Sequence, residues 1–182
     1  MSERTTYLLV DGENIDATLG NSVLGRRPDP HERPRWNTLL DYTERAWGQP
    51  VKGLFFLAVP AELPASFVQA LLAIGYRPVP LRGEGKVVDI AIQRTAEALA
   101  GRPADVMLVS HDADFAPQME ALAEDPDRRV GIVGFGEFLA TSLRRIDGVE
   151  FFDLEYDVAA FRERLPRVRI IEIDEFDPLE FI

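Results

Sequence analysis

The chain has 182 residues, 46% hydrophobic and 28% charged, the size and balance of a single globular domain, which argues against a disordered segment. No apolar run reaches the ~18 residues that cross a bilayer, so no membrane partner is expected. With no cysteine, disulfides, thiolate metal sites and cysteine nucleophiles are excluded, and any metal would rest on oxygen or on His31 and His111. The net charge of −11 repels nucleic acid over the surface as a whole, although much of the acidity lies in residues 153–182. The opening MSERTTYLLVDG runs into a strand without the apolar core of a signal peptide, so a cytoplasmic location is expected.

In chain order, Tyr7–Val10 is a short apolar run closed by Asp11-Gly12, the pattern of a buried strand entering a turn. A helix is expected over residues 13–20. Gly20–Pro34 holds three prolines, two glycines and Arg26, Arg27 and Arg33, which predicts a mobile, basic loop. Trp36–Trp47 places Leu39, Leu40, Thr43 and Trp47 on one helical face. Val51–Val59 reads as a second strand, Glu62–Ile74 as a helix stopped by Gly75, and Tyr76–Leu81 as a third strand. After the loop Arg82–Lys86, the residues Val88, Ile92, Ala96 and Leu99 recur at helical spacing until Gly101. Asp105–Ser110 and Arg129–Phe135 are further strands, separated by a helix from about Asp114 to Ala123. A helix over Glu137–Arg145 and a short strand over Gly148–Phe152 complete the pattern.

Strands alternating with helices, each connection long enough for a crossover, predict an α/β fold with a mainly parallel sheet covered on both faces. The expected architecture is a three-layer α/β/α sandwich. One domain over residues 1–165 and an acidic tail over 166–182 are expected, with Val168, Ile170, Ile171 and Ile173 able to add an edge strand.

In open parallel sheets, ligands bind outside the carboxyl ends of the strands. Asp11 follows the first strand, Asp112 and Asp114 follow the fourth, and Asp89 lies in the first turn of the helix entered through Gly83-Glu84-Gly85. Carboxylates gathered in one cleft repel one another unless a cation neutralises them, and hard Mg²⁺ or Mn²⁺ suits an all-oxygen site that handles phosphate. Taken singly, Asp11 and Asp112 are equally at home as a turn residue and a helix N-cap. Gly134-Phe135-Gly136 lacks the third glycine of a dinucleotide fingerprint, since Leu139 stands in its place, and the glycines at 83 and 85 do not make a P-loop.

Three segments carry a resemblance. Val10-Asp11-Gly12-Glu13-Asn14-Ile15 resembles the D-G-x-N opening of the NYN domain family, the LabA-like ribonucleases of the PIN-like superfamily. Lys86-Val87-Val88-Asp89-Ile90 resembles its K-x-x-D-[VI] element, and Ser110-His111-Asp112-Ala113-Asp114-Phe115 its S-x-D-x-D-F element. The resemblance implies a PIN-like, Rossmannoid fold and a divalent-metal ribonuclease with Asp11, Asp89, Asp112 and Asp114 as metal ligands. It also implies that Asn14 orients a metal-bound water or a substrate phosphate, and that hydrolysis leaves a 5′-phosphate and a 3′-hydroxyl. Ser110 would bond the phosphate or brace the acidic loop.

The chain departs from that pattern twice: His111 stands where relatives carry glycine, and Gln93, Arg94 and Thr95 where many carry a further aspartate. His111 reads as a strand-end polar residue, with a ligand or general acid as the other uses of an imidazole there. Single-stranded or structured RNA is the expected substrate, with Arg26, Arg27, Arg33, Arg82 and Lys86 as a basic rim for its backbone. A non-catalytic module that binds RNA or a nucleotide in the same cleft, or a phosphohydrolase for a small metabolite, are the alternatives. The acidic tail, with Phe176, Leu179 and Phe181, would suit a basic groove or a protein partner.

Overall fold

A computed structural model describes residues 4–182 of the chain; the first three residues of the expected domain lie outside the described residues. Six strands form one sheet: β1 (Thr5–Asp11), β2 (Val51–Ala58), β3 (Arg77–Leu81), β4 (Ala104–Val109), β5 (Val130–Gly134) and β6 (Val149–Asp153). Their order is β3-β2-β1-β4-β5-β6, and every neighbouring pair is parallel. Helices α1 (Gly12–Thr18), α2 (Trp36–Trp47), α3 (Ala65–Ile74), α4 (Val87–Ala100), α5 (Ala116–Ala123) and α6 (Thr141–Arg144) fill the crossovers.

Alternation along the strands divides the core into two layers. Leu8, Val10, Phe55, Leu57, Met107 and Val109 face α1, α2 and α3 through Ile15, Leu39, Trp47 and Leu71. Leu9, Phe56, Val106, Leu108 and Ile132 face α4, α5 and α6 through Ile92, Leu99, Met119 and Leu143. All six residues of β4 are buried, as expected of a strand covered on both faces at the middle of a parallel sheet. The three-layer α/β/α expectation therefore holds. No helix among the described residues is long and apolar enough to cross a membrane.

Four expectations need correction. The basic loop from Gly20 instead begins as a π-helical turn, Leu19–Leu24, because Leu19 and Val23 are drawn into the core. Gly20 permits this: a Cβ there would stand 3.1 Å from the Pro28 ring and 3.2 Å from the Arg26 carbonyl. Helix α3 starts only after Pro64, since a proline removes a helical N–H and restrains the residue before it. The helix expected over Glu137–Arg145 shrinks to a 3₁₀ turn, Gly136–Phe138, and the single turn of α6, with Leu139 extended between them. Val168, Ile170 and Ile173 make no edge strand and stay exposed.

One cation stabilises the α4–β4 junction. Arg128 is buried, and its guanidinium donates to the carbonyls of Leu99, Ala100 and Arg102 at 3.1 Å each, closing the C-terminus of α4 where the helix dipole is negative. Arg128→Ala removes these charged donors from a buried junction, although the Leu99 and Arg102 carbonyls keep the N–H groups of Arg102 and Ala104, and hydrogen bonds from charged donors contribute about 1.5–3 kcal/mol each. A loss near 3 kcal/mol, or roughly 6–12 °C in Tm for a domain of this size, is expected from thermal melting. A shift below about 2 °C would show that water replaces the guanidinium there.

Candidate metal centre

β1 and β4 lie side by side, and the chain leaves them in opposite directions, β1 towards β2 and β4 towards β5. Their following loops therefore diverge and open a crevice at the carboxyl ends of the strands. Asp11, Glu13, Asn14, Ala58, Lys86, Asp89 and Asp112 are among the residues that line it. Gly12 is needed at its floor, because a Cβ would sit 2.5 Å from the Phe55 ring and prevent α1 from closing on β2.

Asp11 ends β1 and caps α1. Its Oδ1 accepts the Asn14 backbone N–H at 3.3 Å and its Oδ2 accepts the Ser110 hydroxyl at 3.0 Å. Burial pushes this carboxyl up to about 6; the two hydrogen bonds pull it down, while the charges of Asp89 and Glu13 push it further up. Ser110 also accepts the Asp112 N–H at 3.2 Å, so one hydroxyl braces the acidic loop after β4 against β1. Asp112 accepts the Asp114 N–H at 2.9 Å and turns the chain into α5.

Asp89, in the first turn of α4, approaches from the other side. Burial raises its carboxyl, and the neighbouring charge of Asp112 adds to the rise. Asp89, Asp112 and Asp114 each offer a carboxylate oxygen within 4.8 Å of one another, the spacing needed for one hard cation to touch all three. Lys86 already supplies positive charge here, its Nζ 2.8 Å from Asp114 and 3.5 Å from Asp89. Asp11 lines the same crevice but stands outside the group of three.

Asn14 and His111 form a second layer. Asn14 Oδ1 accepts the His111 backbone N–H at 2.9 Å and lies 2.8 Å from His111 Nδ1, while His111 Nε2 accepts the Phe135 N–H at 2.8 Å. Both ring nitrogens are thus engaged inside the protein, so His111 serves neither as a ligand nor as a general acid. Burial lowers its pKa to about 4, in keeping with a neutral ring.

The expected basic rim is mostly occupied elsewhere. Arg26 forks onto Glu32 at 2.7 and 2.8 Å, Arg33 pairs with Asp16 at 2.6 Å, and Arg82 donates to the Val59 and Ala61 carbonyls. Arg27 is exposed, and none of these four is among the lining residues; of the expected cations, Lys86 alone reaches the crevice. Asp29, His31 and Glu32 form another acidic group on the surface, with Glu32 already neutralised by Arg26.

Two contributors were not singled out from the sequence. Glu13 lines the crevice, its Oε1 accepting the Ala58 N–H at 3.1 Å, and its place inside the D-G-E-N segment was the available signal. Gln93, read from the sequence only as a departure from the family pattern, donates to the Asp114 carbonyl at 3.0 Å and tethers the acidic loop to α4.

The NYN domain model matches residues 5–155. The crystal structure of a protein of unknown function from Vibrio parahaemolyticus superposes with a TM-score of 0.67 at 19% sequence identity, covering 85% of this chain and 95% of that one. That likeness shows the fold. None of the curated proteins matches the chain.

Proposed function

The chain belongs to the NYN domain family of PIN-like nucleases, and from that premise we propose that it is a divalent-metal-dependent ribonuclease acting on single-stranded or structured RNA. The observation that carries the reading is the convergence of Asp89, Asp112 and Asp114 within 4.8 Å, from the first turn of α4 and the loop after β4, at the crevice where the sheet order reverses. Such a donor set, all oxygen and without thiolate or imidazole, fits Mg²⁺ or Mn²⁺.

Asp89, Asp112 and Asp114 would hold the ion, with Asp11 completing the negative wall. A divalent ion held there lowers the pKa of water and offsets charge developing on the phosphodiester. Ser110 keeps Asp11 and the Asp112 loop at fixed separation, and Asn14 orients a phosphate oxygen. Lys86, the lining cation paired with Asp114 and Asp89, would face the RNA backbone, which the acidic surface elsewhere repels. A 5′-phosphate and a 3′-hydroxyl are the expected ends.

Lys86 also supports a second reading. Its ammonium neutralises Asp114 and Asp89 without any metal, as a cleft that binds RNA or a nucleotide and does not cut it would require. Incubating the protein with labelled single-stranded and structured RNA plus Mn²⁺ or Mg²⁺, beside EDTA and an Asp112→Asn control, separates the two. Cleavage that disappears in both controls is the expected result. RNA held intact, with or without metal, would replace the nuclease by the binding module.

A further inference from the structure

The chain around His111 is shaped to its ring. The imidazole stacks on Phe135 with centroids 5.7 Å apart and planes 6° from parallel. At Gly134 a Cβ would lie 2.7 Å from Nε2, so the ring and the glycine need each other. The backbone donors around the ring fix its tautomer. A backbone N–H only donates, so the Asn14 atom facing the His111 N–H at 2.9 Å is the oxygen. The Phe135 N–H likewise makes Nε2 an acceptor, which leaves the proton on Nδ1, 2.8 Å from the same Asn14 oxygen, with the Thr18 hydroxyl farther away at 3.2 Å.

Asn14 Oδ1 is therefore held by two donors and has no free direction from which to ligate a metal. Its amide nitrogen has no protein partner among the described residues, and the side chain lines the crevice beside Asp11 and Asp112. We propose that His111 is a positioning residue that locks the Asn14 carboxamide with its N–H₂ towards the cleft, making Asn14 a hydrogen-bond donor to a non-bridging phosphate oxygen of the substrate. This deepens the nuclease reading and rests on it for the identity of the substrate. A glycine at position 111 would supply the backbone donor alone and leave the carboxamide free to rotate.

Two conservative variants separate the lock from mere support of the fold. In His111→Asn the side-chain nitrogen falls near the Nδ1 position and keeps the donor to Asn14. In His111→Gln the side-chain oxygen reaches the Nε2 position and keeps the acceptor for Phe135, but loses that donor. His111→Asn is expected to retain kcat within about threefold, and His111→Gln to lose roughly 10–100-fold in kcat, the range found when a group that orients a site residue is removed. Both should melt cooperatively. Because the two residues act as one unit, His111→Gln combined with Asn14→Ala should be no slower than Asn14→Ala alone.

The lock is also measurable without RNA: long-range ¹⁵N–¹H correlation spectra of the full-length protein at pH 7.5 report which ring nitrogen carries the proton. A proton on Nδ1 supports the proposal. A proton on Nε2, or a His111→Gln variant that cuts as fast as the wild type, would overturn it. If the wild type cuts no RNA while the Nδ1 proton is observed, the nuclease reading fails and the lock on Asn14 stands.

Discussion

Asp11→Asn is expected to make the metal-free protein more stable at pH 7.5 while slowing RNA cleavage at least about 100-fold. The rate loss follows because neutralising one wall of the metal centre removes several kcal/mol of transition-state stabilisation, at about 1.4 kcal/mol per tenfold. The stability gain follows from burial. Desolvation raises this carboxyl from its ordinary 3.8 to about 6 in the folded chain, and ionising it there costs on the order of 3 kcal/mol. Below about pH 4 the group is protonated in both states and the cost vanishes. Between about 4 and 6 the folded state keeps a proton that the unfolded state has lost, so stability falls as pH rises; above about 7 the whole cost is felt. An amide removes it but deprives the Ser110 hydroxyl of its carboxylate acceptor, at about 1 kcal/mol. The net gain of about 2 kcal/mol corresponds to roughly 4–8 °C in Tm. The gap between variant and wild type should shrink as pH is lowered towards 4, and saturating Mn²⁺ should narrow it at pH 7.5 by stabilising the wild type. A variant that melts at or below the wild-type temperature at pH 7.5 would show that Asp11 is not strained by its burial.

That strain links the legible and the hidden parts of the chain. The strands could be read because each is an apolar run closed by a turn residue, and parallel pairing follows from the helical periodicity between them. The acids could be read for a related reason: Asp11 and Asp112 sit where strands end, and in a parallel sheet all such ends share one edge. What periodicity does not encode is which side chain reaches which partner. Arg26, Arg33 and Arg82 looked like a rim for RNA, but each found a carboxylate or carbonyl closer at hand than the cleft. Gly20 and Gly25 looked like chain breakers, whereas Gly20 allows a close approach that lets Leu19 and Val23 join the core. His111 looked like a polar strand end, because its meaning depends on Asn14 and Phe135, which only the fold brings to its two nitrogens.

Arg167→Ala is expected to destabilise the protein by about 3–5 kcal/mol, the range seen when one partner of a buried ionic cluster is removed. Arg167 lies two residues beyond the expected end of the domain, yet its side chain is only 2% exposed. Its guanidinium reaches Glu137 at 2.5 Å and both oxygens of Asp153 at 2.6 and 3.0 Å, with Glu155 at 3.7 Å. Its flat face lies 5.0 Å from the Phe135 ring centre and 4.6 Å from that of Tyr156. Burial alone would raise Asp153, but the hydrogen bonds from Arg167 and from the N–H groups of Tyr156 and Gly136 outweigh it and hold the carboxyl below its usual range. Without the cation, three poorly solvated carboxylates face one another. A group held low in this way stabilises the fold above its unfolded pKa and loses that contribution as pH falls through the folded value. The difference between wild type and variant should therefore be largest near neutrality, roughly 6–20 °C in Tm, and narrow under acid as the carboxyls take up protons. Arg167→Lys keeps the charge but loses the planar fork and its stacking on Phe135 and Tyr156, so it should fall between the two. Equal melting of the lysine and alanine variants would mean that shape, and not charge, holds this segment against Phe135, the ring on which His111 stacks.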